Sequence, residues 1–312
     1  MRCPNLSELP PSPPGKTGWP WTEESRRLPD SMSDGNAWPR VSIVTPSYNH
    51  GQFIEEAIRS VLLQGYPDIE YIIIDGGSTD NSVEIIRKYE KYIAYWVSES
   101  DRGQSHAINK GLARASGEIL SYLNSDDLLL VGALLKVASH SLTHPEAEFI
   151  YGGLNYIDSS GTKLSEVTLE AFSLRSLLVG TESRNGLHVA FIKREAFERI
   201  GPFNENLLYA FDYEYCVRAA RSEVAVSVIG MSLSAFRVHA LSKSCMCQGE
   251  LNFREAAIVC RKSGGGYLSW AYRSYWRVWL RNCIERSPFA FLLIVYRQLK
   301  RSQNGRRPEP SS

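Results

Sequence analysis

Residues 118–127 read EILSYLNSDD, from Glu118 to Asp127. Ile119, Leu120, Tyr122 and Leu123 are strand formers that favour a sheet, whereas Asn124, Ser125, Asp126 and Asp127 favour its edge. Two neighbouring carboxylates at the C-terminal end of a strand repel each other unless positive charge lies beside them. A hard divalent cation, shared between carboxylate oxygens and the phosphates of a substrate, supplies that charge. The alternative is that Asp126 or Asp127 caps the next helix, which is the commoner use of an isolated Asp-Asp pair. The rest of the chain weighs between the two.

The same pattern recurs upstream. Val41 to Thr45 (VSIVT) predicts a buried strand that breaks over Pro46 to Gly51. A helix is expected over about 52–63, where Phe53, Ala57 and Val61, and Ile54, Ile58 and Leu62, recur at i+4 and Gly65 follows as the stop. Ile69 to Ile74 predicts a second strand running into DGGSTD (75–80), and Asn81 and Glu84 are spaced as a capping box for a helix over 82–91. Tyr95 to Ser98 predicts a third strand, 104–115 a helix, and then comes the opening stretch. This alternation predicts an α/β architecture, a mostly parallel central sheet flanked by helices on both faces. Ligands of such sheets bind beyond the C-terminal ends of the strands. The polar clusters at 45–51, 75–80, 99–104 and 124–127 share that edge. Downstream, strands are expected at 149–155, 162–169, 185–192 and 224–229, with 234–239 extending the last. Helices are expected at 193–200, 211–221 and about 249–262.

The flanks differ from this body. Residues 1–39 hold eight of the fifteen prolines and show no apolar period, so a disordered Pro-rich extension is expected, pinned here and there by Trp19, Trp21 and Trp38. A length of 312 residues allows one large domain or two modest ones; the main domain is placed at 40–265. The net charge of +1 hides a split, because residues 261–312 carry eleven Lys/Arg against two Asp/Glu, leaving the body acidic. Residues 266–312 are read as a basic, aromatic helical tail, with Tyr267, Trp270, Tyr272, Tyr275, Trp276, Trp279 and Phe289 interleaved with arginines. Leu268, Tyr272, Tyr275 and Trp279 fall on one helical face, and such a mixture suits an anionic membrane surface. Nothing in the chain resembles a nucleic-acid-binding motif. Six scattered cysteines, with Cys245 and Cys247 as a lone Cys-x-Cys, read as reduced thiols. No secretory signal is legible in residues 1–20, and the apolar run Phe289 to Tyr296 is far short of the ~20 residues that cross a bilayer. The expected location is cytoplasmic, peripheral on the inner membrane face.

VSIVTPSYN (41–49), DGGSTDNS (75–82), ESDRGQSHAINKGLARASGEILSYLNSDD (99–127), GPFNENLLYAFDYEYCVR (201–218) and FRVHALSKS (236–244) together resemble the inverting family-two glycosyltransferases of the GT-A fold. The resemblance spans roughly residues 40–245 and rests on five motifs in order. It implies a nucleotide-sugar donor, read here as UDP-linked, a glycan or lipid-linked acceptor, and Mg²⁺ or Mn²⁺. By likeness, Thr45, Pro46 and Tyr48 line the base and ribose pocket and Asp75 accepts a hydrogen bond from the base. Gly103, Gln104 and Asn109 border the donor. Asn124-Ser125-Asp126 stands where many members carry Asp-x-Asp, so Asp126 is the implied metal ligand and Asn124 a ribose or sugar contact. Asp127 and His239 are further candidates for the metal, and Asp212 matches the general base.

The chemistry asks for those types. A leaving diphosphate needs a Lewis acid, an acceptor hydroxyl needs a base, and direct displacement with inversion needs no covalent intermediate. Glu214 competes with Asp212 for the base, and Asp212 has the alternative of merely capping its helix. Arg237 or Lys243 offers a phosphate clamp. His106 and His188 read as structural. A dinucleotide fold lacks its Gly-x-Gly-x-x-Gly here. The competing readings are a non-catalytic sugar-nucleotide binding module and, less well supported, a nucleotidyltransferase.

Overall fold

The structure, a computed structural model, describes residues 1–179, 189–240, 242, 250–267 and 269–285. Strands β1 (Val41–Ser47), β2 (Ile69–Asp75), β3 (Tyr95–Ser98) and β4 (Ile119–Tyr122) are joined by helices α1 (Ile54–Leu62), α2 (Ser82–Lys88) and α3 (Gln104–Leu112). β1 pairs in parallel with both β2 and β4, and β2 with β3. Every residue of β1 is buried, because it is central and covered on both faces. Alternate side chains divide between two layers. Val44, Ile72, Ile74 and Leu120 meet Ala107, Ile108 and Leu112 of α3. Ile43, Tyr71 and Ile73 meet Ile54, Ile58, Val61 and Leu62 of α1. A Cβ on Gly111 would stand 2.3 Å from Cγ1 of Val44, so glycine lets α3 lie directly on the sheet.

Beyond β4 the sheet changes direction. It continues through β8 (Ala190–Lys193), β6 (Phe149–Ile157), β9 (Val226–Arg237) and β5 (Leu128–Leu129), with β7 (Lys163–Val167) on β6. β4–β8, β8–β6 and β9–β5 are antiparallel and β6–β9 is parallel. The two pieces expected at 224–229 and 234–239 are one strand, bent where the register slips beside Gly152 and Gly153. A Cβ at Gly152 would strike the Met231 carbonyl oxygen at 2.5 Å, so the irregular approach requires glycine. The short β5 follows the Asp-Asp pair directly and fastens it to β9. Helix α4 (Ala133–Thr143) starts after Gly132, so neither Asp126 nor Asp127 caps it. Helices α5 (Leu174–Val179), α6 (Arg194–Ile200), α7 (Phe211–Arg221), α8 (Glu250–Lys262) and α9 (Trp270–Glu285) complete the described elements.

The expectation of disorder over 1–39 is corrected. Cys3, Leu9, Trp21 and Leu28 are buried, and three of them join the α1 layer. The extension is held chiefly by Arg59 of α1, which is 1% exposed. Its guanidinium donates to the carbonyl oxygens of Pro20 (3.0 Å), Pro10 (2.9 Å) and Trp21 (3.0 Å), and to the hydroxyl oxygens of Ser12 and Tyr89. It also lies over the Trp21 ring. Proline lacks an N–H, so a proline-rich segment offers few backbone donors to its own carbonyls, and one buried arginine supplies them instead. Composition could not reveal this, because the organising residue lies outside the segment.

The basic tail is helical as far as it is described. Tyr272 and Tyr275 of α9 pack against the core, while Trp276, Trp279 and Leu280 are exposed. Residues 185–188 of the expected strand, Lys243, Cys245, Cys247 and the run from Phe289 lie outside the described residues.

Candidate active site

The C-terminal edge of the parallel strands is stitched together by loop backbone. Asn49 turns the chain after β1 with φ of 52°, a conformation that asparagine tolerates better than most residues. Its N–H donates to Ser78 Oγ and its side-chain oxygen accepts from the Thr79 N–H, both at 2.8 Å. The His50 N–H donates to Ser82 Oγ and the Gly51 N–H to Asp80. A Cβ at Gly51 would overlap Asn81 Oδ1 at 1.8 Å. Asn81 itself does not close a capping box; Asp80 accepts from the Ser82 N–H instead. These bonds fix His50 above the sheet edge, where Ser125 Oγ lies 2.8 Å from its Nδ1.

The Asp-Asp pair separates at this edge. Asp126 turns to His239, whose Nε2 lies 3.1 Å from Oδ2. Asp127 turns away: its two oxygens accept from the Arg237 N–H and the Asn124 side-chain amide, each at 3.0 Å. Burial raises the Asp126 pKa, but the bond to His239 and the charges of His50 and His239 outweigh it, and the net shift is downward. Asp127 moves well up, through burial first and then repulsion from Asp126. One carboxyl is thus kept anionic and the other is driven towards the neutral form. The His50 imidazole is held down by burial, against the pull of Asp126.

One ligand atom from each of His50, Asp126 and His239 lies within 4.8 Å of the others. These donors suit a divalent ion of the first transition row. Two ligands about 2.1 Å from such an ion at a right angle stand about 3.0 Å apart, close to the Asp126–His239 separation. His239 is buried and its Nδ1 has no hydrogen-bond partner in the protein. The residues therefore fit a metal. Asp127, expected among the ligands, stands outside this group because both of its oxygens hold the fold. His50, which the sequence did not single out, stands in it.

Arg237 is not the exposed phosphate clamp that its motif suggested. It is fully buried, paired with Glu56 at 3.0 Å, and donates through Nε to the Asp126 carbonyl oxygen at 2.9 Å. Its Nη1 reaches the carbonyl oxygens of Asp158 and Ser159. Arg237 is thus a strut beneath Asp126 and His239.

The donor-side expectations divide. Tyr48 is 60% exposed at the end of β1. Gln104, following Gly103 (φ of 118°), donates to Asn124 Oδ1 at 2.6 Å, so these two residues share the edge with Asp126. Pro46 is buried at the end of β1. Thr45 is buried too, its hydroxyl 3.0 Å from that of Tyr71, on the α1 side of the sheet. Asp75 is buried and accepts from the N–H groups of Gly77 and Ser78 and the hydroxyls of Ser78 and Ser98. Asn109 ties α3 to the following loop, bonding both the N–H and the carbonyl of Phe203 and also Glu205. In this structure Thr45, Asp75 and Asn109 brace the site. His106 accepts from the Arg102 N–H, a structural contact.

Asp212 lies in the first turn of α7, where its carboxylate accepts from the Tyr213 N–H at 2.7 Å. Its negative charge contributes, second to burial, to the raised pKa of Tyr122. The loop before α7 is clamped by Glu255 of α8, which accepts from the N–H groups of Leu208, Tyr209 and Ala210. Glu214 is occupied by a two-pronged pair with Arg218, at 2.8 and 3.0 Å.

The family model described as "Glycosyl transferase family 2" matches residues 42–201. An uncharacterized glycosyltransferase of Haemophilus influenzae is 27% identical over 220 residues, covering 64% of this chain and 88% of the relative. A putative teichuronic acid biosynthesis glycosyltransferase, TuaG of Bacillus subtilis, is 36% identical over 133 residues, 41% of this chain and 52% of its own. Among solved structures, Staphylococcus aureus TarS 1–349 with UDP-GlcNAc aligns at a TM-score of 0.55 and 18% identity, covering 70% of this chain and 66% of that one. The mannosyltransferase PcManGT of Pyrobaculum calidifontis, with GDP-Man and Mn²⁺, aligns at 0.53 and 22%, covering 89% and 84%. At such identities the structural matches speak for the fold, which is of the GT-A kind.

Proposed function

This chain belongs to glycosyl transferase family 2, and from that premise we infer that it transfers one sugar from a nucleoside-diphosphate sugar, with inversion and a divalent metal, to a glycan or lipid-linked acceptor. The observation that carries the reading is the meeting of Asp126 and His239 at the C-terminal sheet edge.

A divalent ion there, Mg²⁺ or Mn²⁺, supplies Lewis acidity to a leaving diphosphate. Asp126 and His239 would hold it. The chain's own groups do the rest. Arg237 and Asp127 fix the backbone that presents Asp126 and His239. Tyr48 offers an exposed ring for a nucleobase to stack on. The paired amides of Gln104 and Asn124 face donor hydroxyls beside the metal ligands. Asp212 takes the proton of the attacking acceptor hydroxyl, a role for which Glu214, spent on Arg218, is unsuited. A UDP-sugar is the first donor to test, supported by the UDP-GlcNAc complex of TarS, with GDP-Man next. The TuaG likeness supports a polysaccharide acceptor.

Contact with an anionic membrane surface belongs to the same proposal. No described helix is long and apolar enough to cross a membrane, and α9 exposes Trp276, Trp279 and Leu280 beside Arg277. Co-sedimentation with anionic liposomes, compared with a chain ending at Gly265, tests it, and equal binding removes it.

The central experiment is a panel of UDP-, GDP- and dTDP-sugars with Mn²⁺, scored for nucleotide release by the wild type, Asp126→Ala and Asp212→Asn. Release from one donor that fails in both variants supports the assignments. Release undiminished in Asp212→Asn removes that residue as the base.

A further inference from the structure

We propose that His50 is a third metal ligand and that it makes this centre selective for first-row transition ions over Mg²⁺. The inference rests on the metal reading given above and goes beyond it, since that reading needs only Asp126 and His239 and admits either ion.

Three observations carry it. The His50 ring nitrogen, an Asp126 carboxylate oxygen and the His239 ring nitrogen lie within 4.8 Å of one another, although the three come from separate segments. His50 is half-buried and held at three points. Its backbone is bonded to Ser82, its ring to Ser125, and its ring edge packs against Phe53, which also lies on His239 at 4.4 Å between centroids. A metal-ligating histidine is commonly oriented by such an outer bond to one ring nitrogen. Finally, the cluster holds two imidazoles and one carboxylate, while the second carboxylate, Asp127, is consumed by Arg237 and Asn124.

The donor types then decide the ion. Mg²⁺ prefers oxygen ligands in a strict octahedron and keeps much of its water. Imidazole nitrogen favours transition ions, increasingly so from Mn²⁺ towards Cu²⁺. Two nitrogens in a three-ligand set therefore penalise Mg²⁺. Ligands on opposite sides of an ion at about 2.1 Å stand about 4.2 Å apart, comparable with the 4.8 Å within which the three donor atoms lie.

The test is a titration with MnCl₂, with and without UDP, followed by the loss of the free Mn²⁺ electron paramagnetic resonance signal, with MgCl₂ as competitor. The variants are His50→Ala, His50→Gln, which retains a polar group near Ser125, His50→Asp, and Asp126→Asn. Folding is checked by metal-free thermal denaturation. The expected result is nitrogen coupling from two imidazoles in the wild type and one in His50→Ala and His50→Gln. Mn²⁺ affinity should fall by ~10-fold or more in those two, Mg²⁺ affinity by less than ~2-fold, and His50→Asp should move the preference towards Mg²⁺. If Asp126→Asn abolishes Mn²⁺ binding while the His50 variants bind as the wild type does, the role of His50 is overturned and the metal reading stands. If the wild type binds no Mn²⁺ under either condition, both fall. Equal wild-type affinity for the two ions overturns the selectivity.

Discussion

Replacing Arg59 by methionine should release the N-terminal extension while leaving the sheet folded. Methionine keeps most of the volume of the buried stem but removes every donor. The carbonyls of Pro10 and Pro20 then lose their guanidinium partner, whereas that of Trp21 keeps the Ser12 hydroxyl. A buried acceptor left unpaired costs about 1 kcal/mol or more, giving roughly 2 kcal/mol for the two. Loss of the ring contact to Trp21 adds about 1 kcal/mol, for roughly 3 kcal/mol in all. At about 2.1 cal/mol/K of unfolding entropy per residue, a chain of 312 residues changes by about 0.65 kcal/mol per degree, so the melting temperature should fall by about 5 °C.

Cys3 provides the local reading. Burial pushes its thiol up to about 12, so in the docked state almost no thiolate forms at pH 8. Alkylation then proceeds through opening of the extension, and a loss of about 3 kcal/mol should speed it by roughly 10²-fold. Cys216 and Cys260, both buried in the body, should stay protected. Mass spectrometry of iodoacetamide-treated protein separates the three. If Arg59→Met leaves both the melting temperature and the Cys3 rate unchanged, Arg59 does not organise the extension.

Asp212→Asn should lower kcat by ~10²–10⁴-fold while leaving the Mn²⁺-dependent stabilisation by UDP intact, as read by thermal shift. Glu56→Gln should cost about 3–5 kcal/mol in chemical denaturation, because Arg237 is fully buried and its charge would lose its partner; a Glu56→Gln, Arg237→Met double variant should recover part of the loss. Asn109→Ala should reduce stability by about 2 kcal/mol with little change in donor affinity by calorimetry, since its amide is spent on Phe203 and Glu205; a large drop in affinity at constant stability would return it to the donor pocket. Gly111→Ala should destabilise by about 1–3 kcal/mol in the same denaturation, through the clash with Val44.

The parallel half of the sheet was legible because its evidence is local. Val41 to Thr45 and Ile69 to Ile74 are continuous apolar runs, as strands covered on both faces must be, and each is followed by the loop that forms the site edge. β9 was harder, since Ser227, Ser232 and Ser234 interrupt its pattern and its bend depends on glycines of another strand. Asp126 and His239 could be picked out by type and motif. Their division of labour with Asp127 could not, because it depends on which oxygen meets Arg237, a residue 110 positions away. His50 escaped notice for the same reason. In sequence it is one polar residue in a turn, and only Ser125, 75 positions on, shows which way it faces. The extension misled because low apolar content argues for disorder only when nothing outside the segment supplies the missing bonds.

The pairing of Asp126 with His239 across 113 positions has a consequence for synthesis. Ribosomes add ~5–20 residues per second. The carboxylate end of the centre therefore emerges roughly 6–20 seconds before the imidazole that completes it. Throughout that interval β5 lacks the β9 backbone against which it pairs, and Glu56 lacks the arginine that neutralises it. The nascent chain must carry its acidic edge exposed until β9 is made. Ribosome-bound chains stalled before and after this strand should differ sharply in protease sensitivity around Asp126, marking the moment at which the centre closes.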